Sequence, residues 1–172
     1  MTTKEKILKA SLQLFNERGV SDITVRDIAK EIGISHGNLC YHYPNTNDII
    51  WALYDEFTKK VNEMLDALQP DENVFQAHTN AIRAIFILSY KYRFLYLHFA
   101  EITQRLPAIK KRHYQLIEER KKQIRYFFEV LRQQDLFRSD LPEVDFYVSA
   151  YLGLFMPYLT EKGKQVAGLI QL

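Results

Sequence analysis

Apolar side chains recur every three or four residues along most of the chain, the spacing that places them on one face of an α-helix. Strict alternation of apolar and polar residues, which marks a half-buried strand, does not continue for more than a few residues anywhere. The six glycines and five prolines act mainly as separators between helical stretches. The sequence therefore predicts an all-α fold.

The first 45 residues contain three helical stretches. The first covers residues 4–18 and precedes Gly19, a typical C-cap. The second follows Thr24 and the third follows Ser35, both good N-caps, and Pro44 ends the third. The apolar face of the second helix consists of Val25, Ile28, Ala29 and Ile32. This order predicts a compact three-helix unit at the N-terminus.

The short third helix carries small and polar side chains where the second carries apolar ones. Only Ile34, before the helix, and Leu39 are expected to face inward. The outward positions are Ser35, His36, Gly37, Asn38, Tyr41 and His42. A helix-turn-helix needs this composition, because its second helix presents hydrogen-bonding groups to base edges in the major groove. Gly37 would permit close approach to the duplex, and Asn38 can bond adenine or a phosphate.

A long fourth helix follows, with Asn45 as its N-cap and an apolar seam that runs to Leu68. The clearest break in the sequence is at 69–73. Beyond it, helical patterns cover residues 74–92, 94–105, 107–134 and 142–158. We therefore expect a DNA-binding domain over residues 1–45 and a helical domain over residues 46–172, joined through the fourth helix.

Residues 144–158 are apolar nearly all round. A helix of that composition is expected to pack both inward and against a partner molecule. The candidate interface residues are Tyr147, Ala150, Tyr151, Leu154 and Phe155. Only a short segment with two glycines follows Tyr158, so either the final helix is abbreviated or the sequence is incomplete. The geometry of the expected dimer stays open.

Composition narrows the class of protein. A net charge of +2 does not by itself indicate a nucleic-acid binder. A single cysteine, Cys40, can form neither an internal disulfide nor a metal cage. No apolar run approaches the roughly 18 residues of a membrane span, and the N-terminus lacks the apolar stretch of a signal peptide. No catalytic, phosphate-binding or metal-ligand pattern occurs. We expect a cytoplasmic protein that is not an enzyme and has no cofactor or metal.

Two features of the second half have alternative explanations. Residues 83–125 hold eleven Lys or Arg and three Glu, which favours solvated helix faces over a second surface for an anionic partner. The aromatic residues concentrated after residue 85 form a core or line a ligand cavity, and the core is the commoner use of such spacing. Candidates for ligand contact are His78, Arg83, Phe86, Tyr90, Tyr96, His98, Phe99 and Phe127.

The residues that resemble a known family lie mainly between positions 4 and 50. They are Ala10 to Phe15, Gly19, Thr24 to Ala29, Gly33 to Leu39, His42, Tyr43, Asp48 and Ile49. In this pattern the sequence resembles the tetracycline-repressor family of bacterial transcriptional regulators. The resemblance implies a homodimer that binds a palindromic operator in double-stranded DNA, with a helical domain that binds a small, largely apolar or aromatic effector. Repression released by the effector is the implied mode of action.

The resemblance implies a set of DNA-binding residues: Thr24, Arg26, Ser35, His36, Gly37, Asn38, Tyr41, His42 and Thr46. Three positions depart from the family pattern. Cys40 stands where a phosphate-contacting tyrosine is common, Tyr43 replaces a phenylalanine, and Thr46 replaces a lysine. The loss of two phosphate contacts should weaken the salt-dependent part of DNA binding. A protein–protein adaptor with a degenerate helix-turn-helix is therefore the alternative function.

Overall fold

The computed structural model describes residues 1–67 and 74–136, and the regular structure in these two ranges is entirely helical. The helices are α1 (Thr3–Arg18), α2 (Val25–Glu31), α3 (His36–His42), α4 (Thr46–Asp66), α5 (Val74–Lys91), α6 (Phe94–Leu97), α7 (Phe99–Arg105) and α8 (Pro107–Gln133). The predicted all-α fold is confirmed. The predicted helix at 142–158 lies outside the described residues.

Short polar side chains set the starts of the N-terminal helices, as the sequence predicts. The Thr24 side chain accepts from the backbone of Asp27, and Ser35 accepts from the backbone N–H of Asn38 at 3.1 Å. Asn45 Oδ1 accepts from the N–H of Asp48 at 3.0 Å. Each bond satisfies a backbone donor that has no partner within its helix. Local chemistry therefore fixes where α2, α3 and α4 begin.

One helix boundary differs from the expectation. The stretch predicted as a single helix over residues 94–105 is divided at His98, whose φ of −113° and ψ of 23° leave the helical region. The backbone bonds from His98 to Phe94 and from Ile102 to His98, at 3.0 and 2.9 Å, continue the turn across the division. Leu95 and Ile102 are buried on either side of it. Apolar spacing therefore continues through a bend that it cannot reveal.

The chain forms two compact units. The first consists of Met1–Glu63 and Lys91–Ile109, and it includes α1–α3, most of α4, α6 and α7. The second takes its described residues from 64–67, 74–90 and 110–136. The domain limits expected from the sequence, 1–45 and 46–172, stay a prediction.

A single apolar core holds the first unit together. Its largest fully buried side chains come from α1–α4, the α5–α6 connection, α6, α7 and the start of α8: Ile7, Phe15, Ile28, Leu39, Ile49, Ile50, Leu53, Tyr92, Phe94, Ile102 and Ile109. The rings of Phe15 and Phe94 lie 5.3 Å apart. Each such side chain contributes about 1.5–3 kcal/mol through burial. Helices far apart in sequence therefore share the core of the N-terminal helices.

A polar side chain reinforces this core at the end of α1. The Asn16 amide donates to the carbonyl of Lys91 at 2.8 Å, and its oxygen accepts from the N–H of Phe94 at 3.0 Å. Both bonds satisfy backbone groups, one at the last residue of α5 and the other at the first residue of α6. They fix the position of α6 against α1.

In the second unit, α5 contacts α8 through a pair of aromatic rings. The rings of His78 and Phe127 are stacked, with centroids 3.6 Å apart and an angle of 11° between their planes. Burial lowers the pKa of His78, because the charged imidazolium loses solvation.

Within the described ranges, no helix is long and apolar enough to cross a membrane.

Candidate DNA-binding surface

The turn between α2 and α3 has the hydrogen bonds of a Schellman motif. The N–H of Gly33 donates to the carbonyl of Lys30 at 3.2 Å, and the N–H of Ile34 donates to Ala29 at 3.0 Å. Gly33 has a φ of +69°, and no heavy atom lies within 4 Å of where its Cβ would be. Glycine is therefore needed there for backbone conformation and not for space. The sharp turn gives α3 its direction relative to α2.

A single apolar side chain anchors α3. Leu39 is completely buried, whereas Tyr41 is 85% exposed and is the most exposed large apolar side chain of the described residues. The predicted outward residues Ser35, His36, Gly37, Asn38 and Tyr41 are exposed, and His42 is half-buried. The space over Gly37 is open to 4 Å. One face of α3 is therefore held by the core while the opposite face presents polar groups to solvent.

Ile34 and Tyr43 complete the attachment of α3. Ile34, expected to face inward, is half-buried. Tyr43 is 8% exposed, and burial raises the pKa of its phenol. The Lys4 ammonium lies 5.7 Å from the centre of the Tyr43 ring, within reach of a cation–π interaction. Tyr43 is thus a packing residue at the end of α3, and its ring keeps α1 close to it.

Two further side chains of α3 lie side by side. The Sγ atom of Cys40 is 3.4 Å from Nε2 of His36, one helical turn earlier. Cys40 is half-buried, so it lies between the exposed face and the core. The ring of His42 packs edge-on against Tyr41 with centroids 5.2 Å apart. His36 and Tyr41 therefore each have a neighbour that restricts their side chains.

Thr24 and Arg26 flank the start of α2. The Thr24 hydroxyl accepts from the N–H of Asp27 at 3.3 Å and donates to Asp27 Oδ2 at 2.5 Å. The bonds from the hydroxyl and the backbone N–H of Thr24 hold the pKa of Asp27 below its usual value. The Thr24 hydroxyl proton is thus directed to Asp27, whereas Arg26 is an exposed cation in the first turn.

Thr46, one of the predicted DNA-binding residues, has a hydrogen-bond partner that the sequence did not predict. Its Oγ1 accepts a hydrogen bond from Nη2 of Arg105 at 3.1 Å. Arg105 also donates to Asn47 Oδ1 at 3.1 Å and to the carbonyl of Val20 at 3.3 Å. Sequence reasoning did not find Arg105, because the two residues are 59 positions apart and no local spacing connects them.

These groups border an open cleft of about 530 Å³ in the first unit. It is formed by the α1–α2 connection, the segment before α4, and α7. Its polar lining residues are Ser21, Thr24, Asn45, Thr46, Glu101 and Arg105. The structure thus brings Thr24 and Thr46, predicted from separate motifs, to one cleft. The residues of α3 form the other part of the candidate surface.

The expected ligand-contacting residues divide between the two units. His78, Arg83, Phe86, Tyr90 and Phe127 belong to the second unit, and Tyr96, His98 and Phe99 to the first. His78 and Phe127 are in contact through their stacked rings. Tyr96 packs edge-on against Phe57 with centroids 5.9 Å apart. Arg83 is exposed and the other seven are half-buried. Their role in ligand binding stays a prediction.

The expected interface residues, Tyr147, Ala150, Tyr151, Leu154 and Phe155, lie outside the described residues. Within the described residues, no group of three or more His, Cys, Asp or Glu side chains is arranged to hold a metal ion.

Three features of this site are typical of a regulator of the helix-turn-helix class: a glycine turn before a short helix, one buried leucine that anchors this helix, and polar groups on its exposed face. Residues 7–53 match the family model described as bacterial regulatory proteins, tetR family, and residues 56–146 match a model described as bacterial transcriptional repressor. The second match alone covers more than half of the chain. The protein belongs to the tetR family of bacterial regulatory proteins.

Similar proteins agree with this assignment. The chain is 26% identical over 171 residues to the probable HTH-type transcriptional regulator YttP of Bacillus subtilis, with 92% of this chain and 78% of YttP covered. It is 26% identical over 115 residues to IcaR of Staphylococcus epidermidis, a negative transcriptional regulator of a biofilm operon, with 66% of this chain and 62% of IcaR covered.

A solved structure supports the same assignment. The crystal structure of a TetR-family transcriptional regulator from Marinobacter aquaeolei superposes with a TM-score of 0.78 at 28% identity, with 91% of this chain and 76% of that one covered. The prediction of a DNA-binding transcriptional regulator that is not an enzyme is confirmed.

Proposed function

We propose that the protein is a repressor that binds a palindromic operator as a homodimer, with α3 of each subunit in the major groove, and that a small effector releases it. The observation that carries this proposal is the exposed face of α3 opposite its buried anchor Leu39. That face offers a phenol, an amide and imidazoles, which bond base edges and phosphates. The cytoplasm, where operator DNA lies, is the proposed location.

Direct contacts to DNA are assigned to two groups of residues. Asn38 and Tyr41, with Ser35, His36 and His42, would approach the bases and nearby phosphates, and Gly37 would leave room for the duplex. Thr24, Arg26 and Thr46 would contact the backbone on the flanks. Phosphate contacts position a protein on DNA, whereas base contacts specify the sequence. The two groups should therefore respond differently to a change of DNA sequence.

Dimerisation is proposed through the apolar segment at 144–158, which contains Tyr147, Ala150, Tyr151, Leu154 and Phe155. Two helix-turn-helix units must lie about 34–36 Å apart to enter successive major grooves. The effector is proposed to be largely apolar or aromatic and to bind in the second unit, beside the stacked rings of His78 on α5 and Phe127 on α8. Because α4 leads from Thr46 to Asp66, a displacement of its far end would alter the spacing of the two α3 helices.

The test is fluorescence anisotropy with a labelled duplex from the promoter region beside the protein's own gene. We expect saturable binding that weakens steeply with salt, and the double variant Asn38→Ala with Tyr41→Phe should abolish operator binding while its circular dichroism stays helical. Tyr126→Phe, which alters another exposed tyrosine on α8, is the matched control and should bind normally.

Absence of DNA binding at low salt would overturn the proposal and favour the adaptor function instead. Sedimentation analysis tests the dimer, and a purely monomeric species on operator DNA would contradict it. Loss of operator affinity on addition of aromatic small molecules, measured in the same anisotropy assay, tests the effector response.

A further inference from the structure

We infer that Arg105 is a positioning residue for DNA binding: from α7 it fixes the first turn of α4 and the α1–α2 connection, so that the Thr46 hydroxyl presents its proton to the DNA backbone. This inference rests on the proposed function, because it requires Thr46 to contact DNA. Arg105 acts through Thr46 and is not itself assigned a contact to DNA.

The geometry of the guanidinium carries the first step. Its Nε donates to Asn47 and its Nη2 to Thr46, both at 3.1 Å, while Nη1 donates to the Val20 carbonyl at 3.3 Å and to Glu101 Oε1 at 3.2 Å. Four acceptors from three segments thus meet one rigid planar group. Because the guanidinium N–H groups have a fixed fork geometry, they also fix the acceptors relative to one another. A lysine ammonium, a point charge on a flexible stem, cannot do this.

Glu101 extends the same arrangement to the neighbouring loop. One turn before Arg105 on α7, its Oε1 also accepts from the Ser21 hydroxyl at 2.5 Å. Glu101 balances the charge of Arg105, and both side chains are about one-third exposed. Such a solvent-screened pair contributes little net stability. Its consequence is geometric, since α7 thereby holds residues 20–21 and 46–47 in one arrangement.

Hydrogen-bond chemistry determines what the Thr46 hydroxyl can then do. A hydroxyl has one proton to donate and two lone pairs to accept. Arg105 has no acceptor atom, so it uses a lone pair of Thr46 and leaves the proton for another group. The capping role at α4 belongs to Asn45, whose side chain accepts from Asp48. The Thr24 hydroxyl, by contrast, gives its proton to Asp27.

Among the hydroxyls of the cleft, Ser21 gives its proton to Glu101. Thr46 instead accepts from Arg105 of α7 and keeps its proton for another acceptor. A phosphate oxygen can accept such a proton, and such contacts are independent of DNA sequence. The cleft that Thr46 and Arg105 border is open, so the DNA backbone has access to it. The position of α7 thus determines whether the contact can form.

The experiment compares Arg105→Lys, Arg105→Gln, Thr46→Val and the double variant Arg105→Gln with Thr46→Val, in anisotropy titrations with operator and non-operator duplexes. We expect each single change to weaken binding about ten- to a hundredfold on both duplexes, as for one lost hydrogen bond to a charged group. Arg105→Lys should bind DNA as weakly as Arg105→Gln. The double variant should bind no more weakly than either single variant, because the Arg105 and Thr46 changes remove the same contact. Thr46→Ser, which keeps the hydroxyl, should restore most of the affinity.

Arg132→Lys is the matched control, since Arg132 is also about one-third exposed and pairs with a glutamate, Glu129, on its own helix. It should bind like the unaltered protein. Wild-type affinity in Arg105→Lys would show that only the charge matters, and additive losses in the double variant would show that Arg105 does not act through Thr46. Either result would overturn the inference.

The outcomes also separate this inference from the proposed function. If the unaltered protein binds no DNA, the proposed function fails. If it binds and Asn38→Ala with Tyr41→Phe abolishes binding, but Arg105→Lys and Thr46→Val do not weaken it, only the role of Arg105 fails. Thermal unfolding of every variant identifies misfolding, and unchanged binding in Thr46→Val alone still overturns the inference if the Arg105 variants do not fold.

Discussion

Gly19 and His98 are in such close contact that a methyl group at Gly19 would have no room. A Cβ there would lie 2.9 Å from Cε1 of the His98 ring, and Gly19 has a φ of +85° and a ψ of 170°. The glycine both ends α1 and leaves space for the side chain that follows α6. The C-terminal end of α1 therefore packs directly against the bend at His98.

Gly19→Ala is expected to destabilise the protein by about 1–3 kcal/mol, because alanine rarely adopts this backbone conformation. The measurement is the free energy of unfolding from urea denaturation. Gly19→Ala combined with His98→Ala should recover only the steric part of the loss. A double variant as stable as the unaltered protein would show that the backbone conformation itself is not strained.

Gly37→Ala is expected to separate stability from function. Gly37 lies inside α3 with open space where its Cβ would be, so alanine should stabilise the helix by about 0.5–1 kcal/mol. The added methyl group would lie on the face proposed to approach DNA and should weaken operator binding. Urea denaturation and anisotropy on the same preparation check both expectations. Unchanged or tighter binding would contradict the placement of Gly37 against the duplex.

The bonds from Thr24 to Asp27 predict an acid-dependent loss of stability. Because they lower the pKa of Asp27, the carboxylate stabilises the folded state fully at pH values above its ordinary value of 3.8. The contribution is lost as the pH falls from about 3.8 through the lower folded-state pKa. Asp27→Asn should reduce this slope in unfolding experiments across that range, whereas Asp27→Glu, which keeps a carboxylate at the capping-box position, should retain it. Identical slopes in the two variants would contradict the assignment.

Burial of His78 predicts a second dependence on pH, with the same sign in a higher range. Its pKa is lowered from the ordinary 6.5, so the unfolded state takes up the proton first as the pH falls below 6.5. Stability should therefore decrease from about pH 6.5 down to the folded-state pKa and then level off. His78→Phe should reduce the decrease in melting temperature between about pH 7.5 and 5.

Phe127→Leu is the control for that experiment. It removes the stacking partner but keeps the titrating imidazole, so it should lower the melting temperature at pH 7.5 and preserve a dependence on pH. His113, whose pKa burial also lowers, should account for a remaining slope in His78→Phe. A slope in His78→Phe equal to that of the unaltered protein would contradict the role of His78.

The beginnings and ends of the N-terminal helices were determined by the sequence itself. Thr24, Ser35 and Asn45 act on N–H groups three residues away, and Gly33 supplies a backbone conformation of its own. Such interactions are local, so they can be read from spacing. The buried Leu39 and the exposed face of α3 also follow from helical periodicity, which is why the class of protein could be predicted.

The side chains that contact those helices from distant segments depend on the folding of the rest of the first unit. The hydrogen bond from Arg105 to Thr46 and the contact of His98 with Gly19 join residues that no helical period relates. The bend at His98 interrupts a helix whose apolar pattern continues unchanged. Sequence spacing reports which face of a helix is apolar, whereas the partner of that face depends on how distant segments pack within each unit. For this reason the exposed face of α3 was predictable, and the arginine that binds the start of α4 was not.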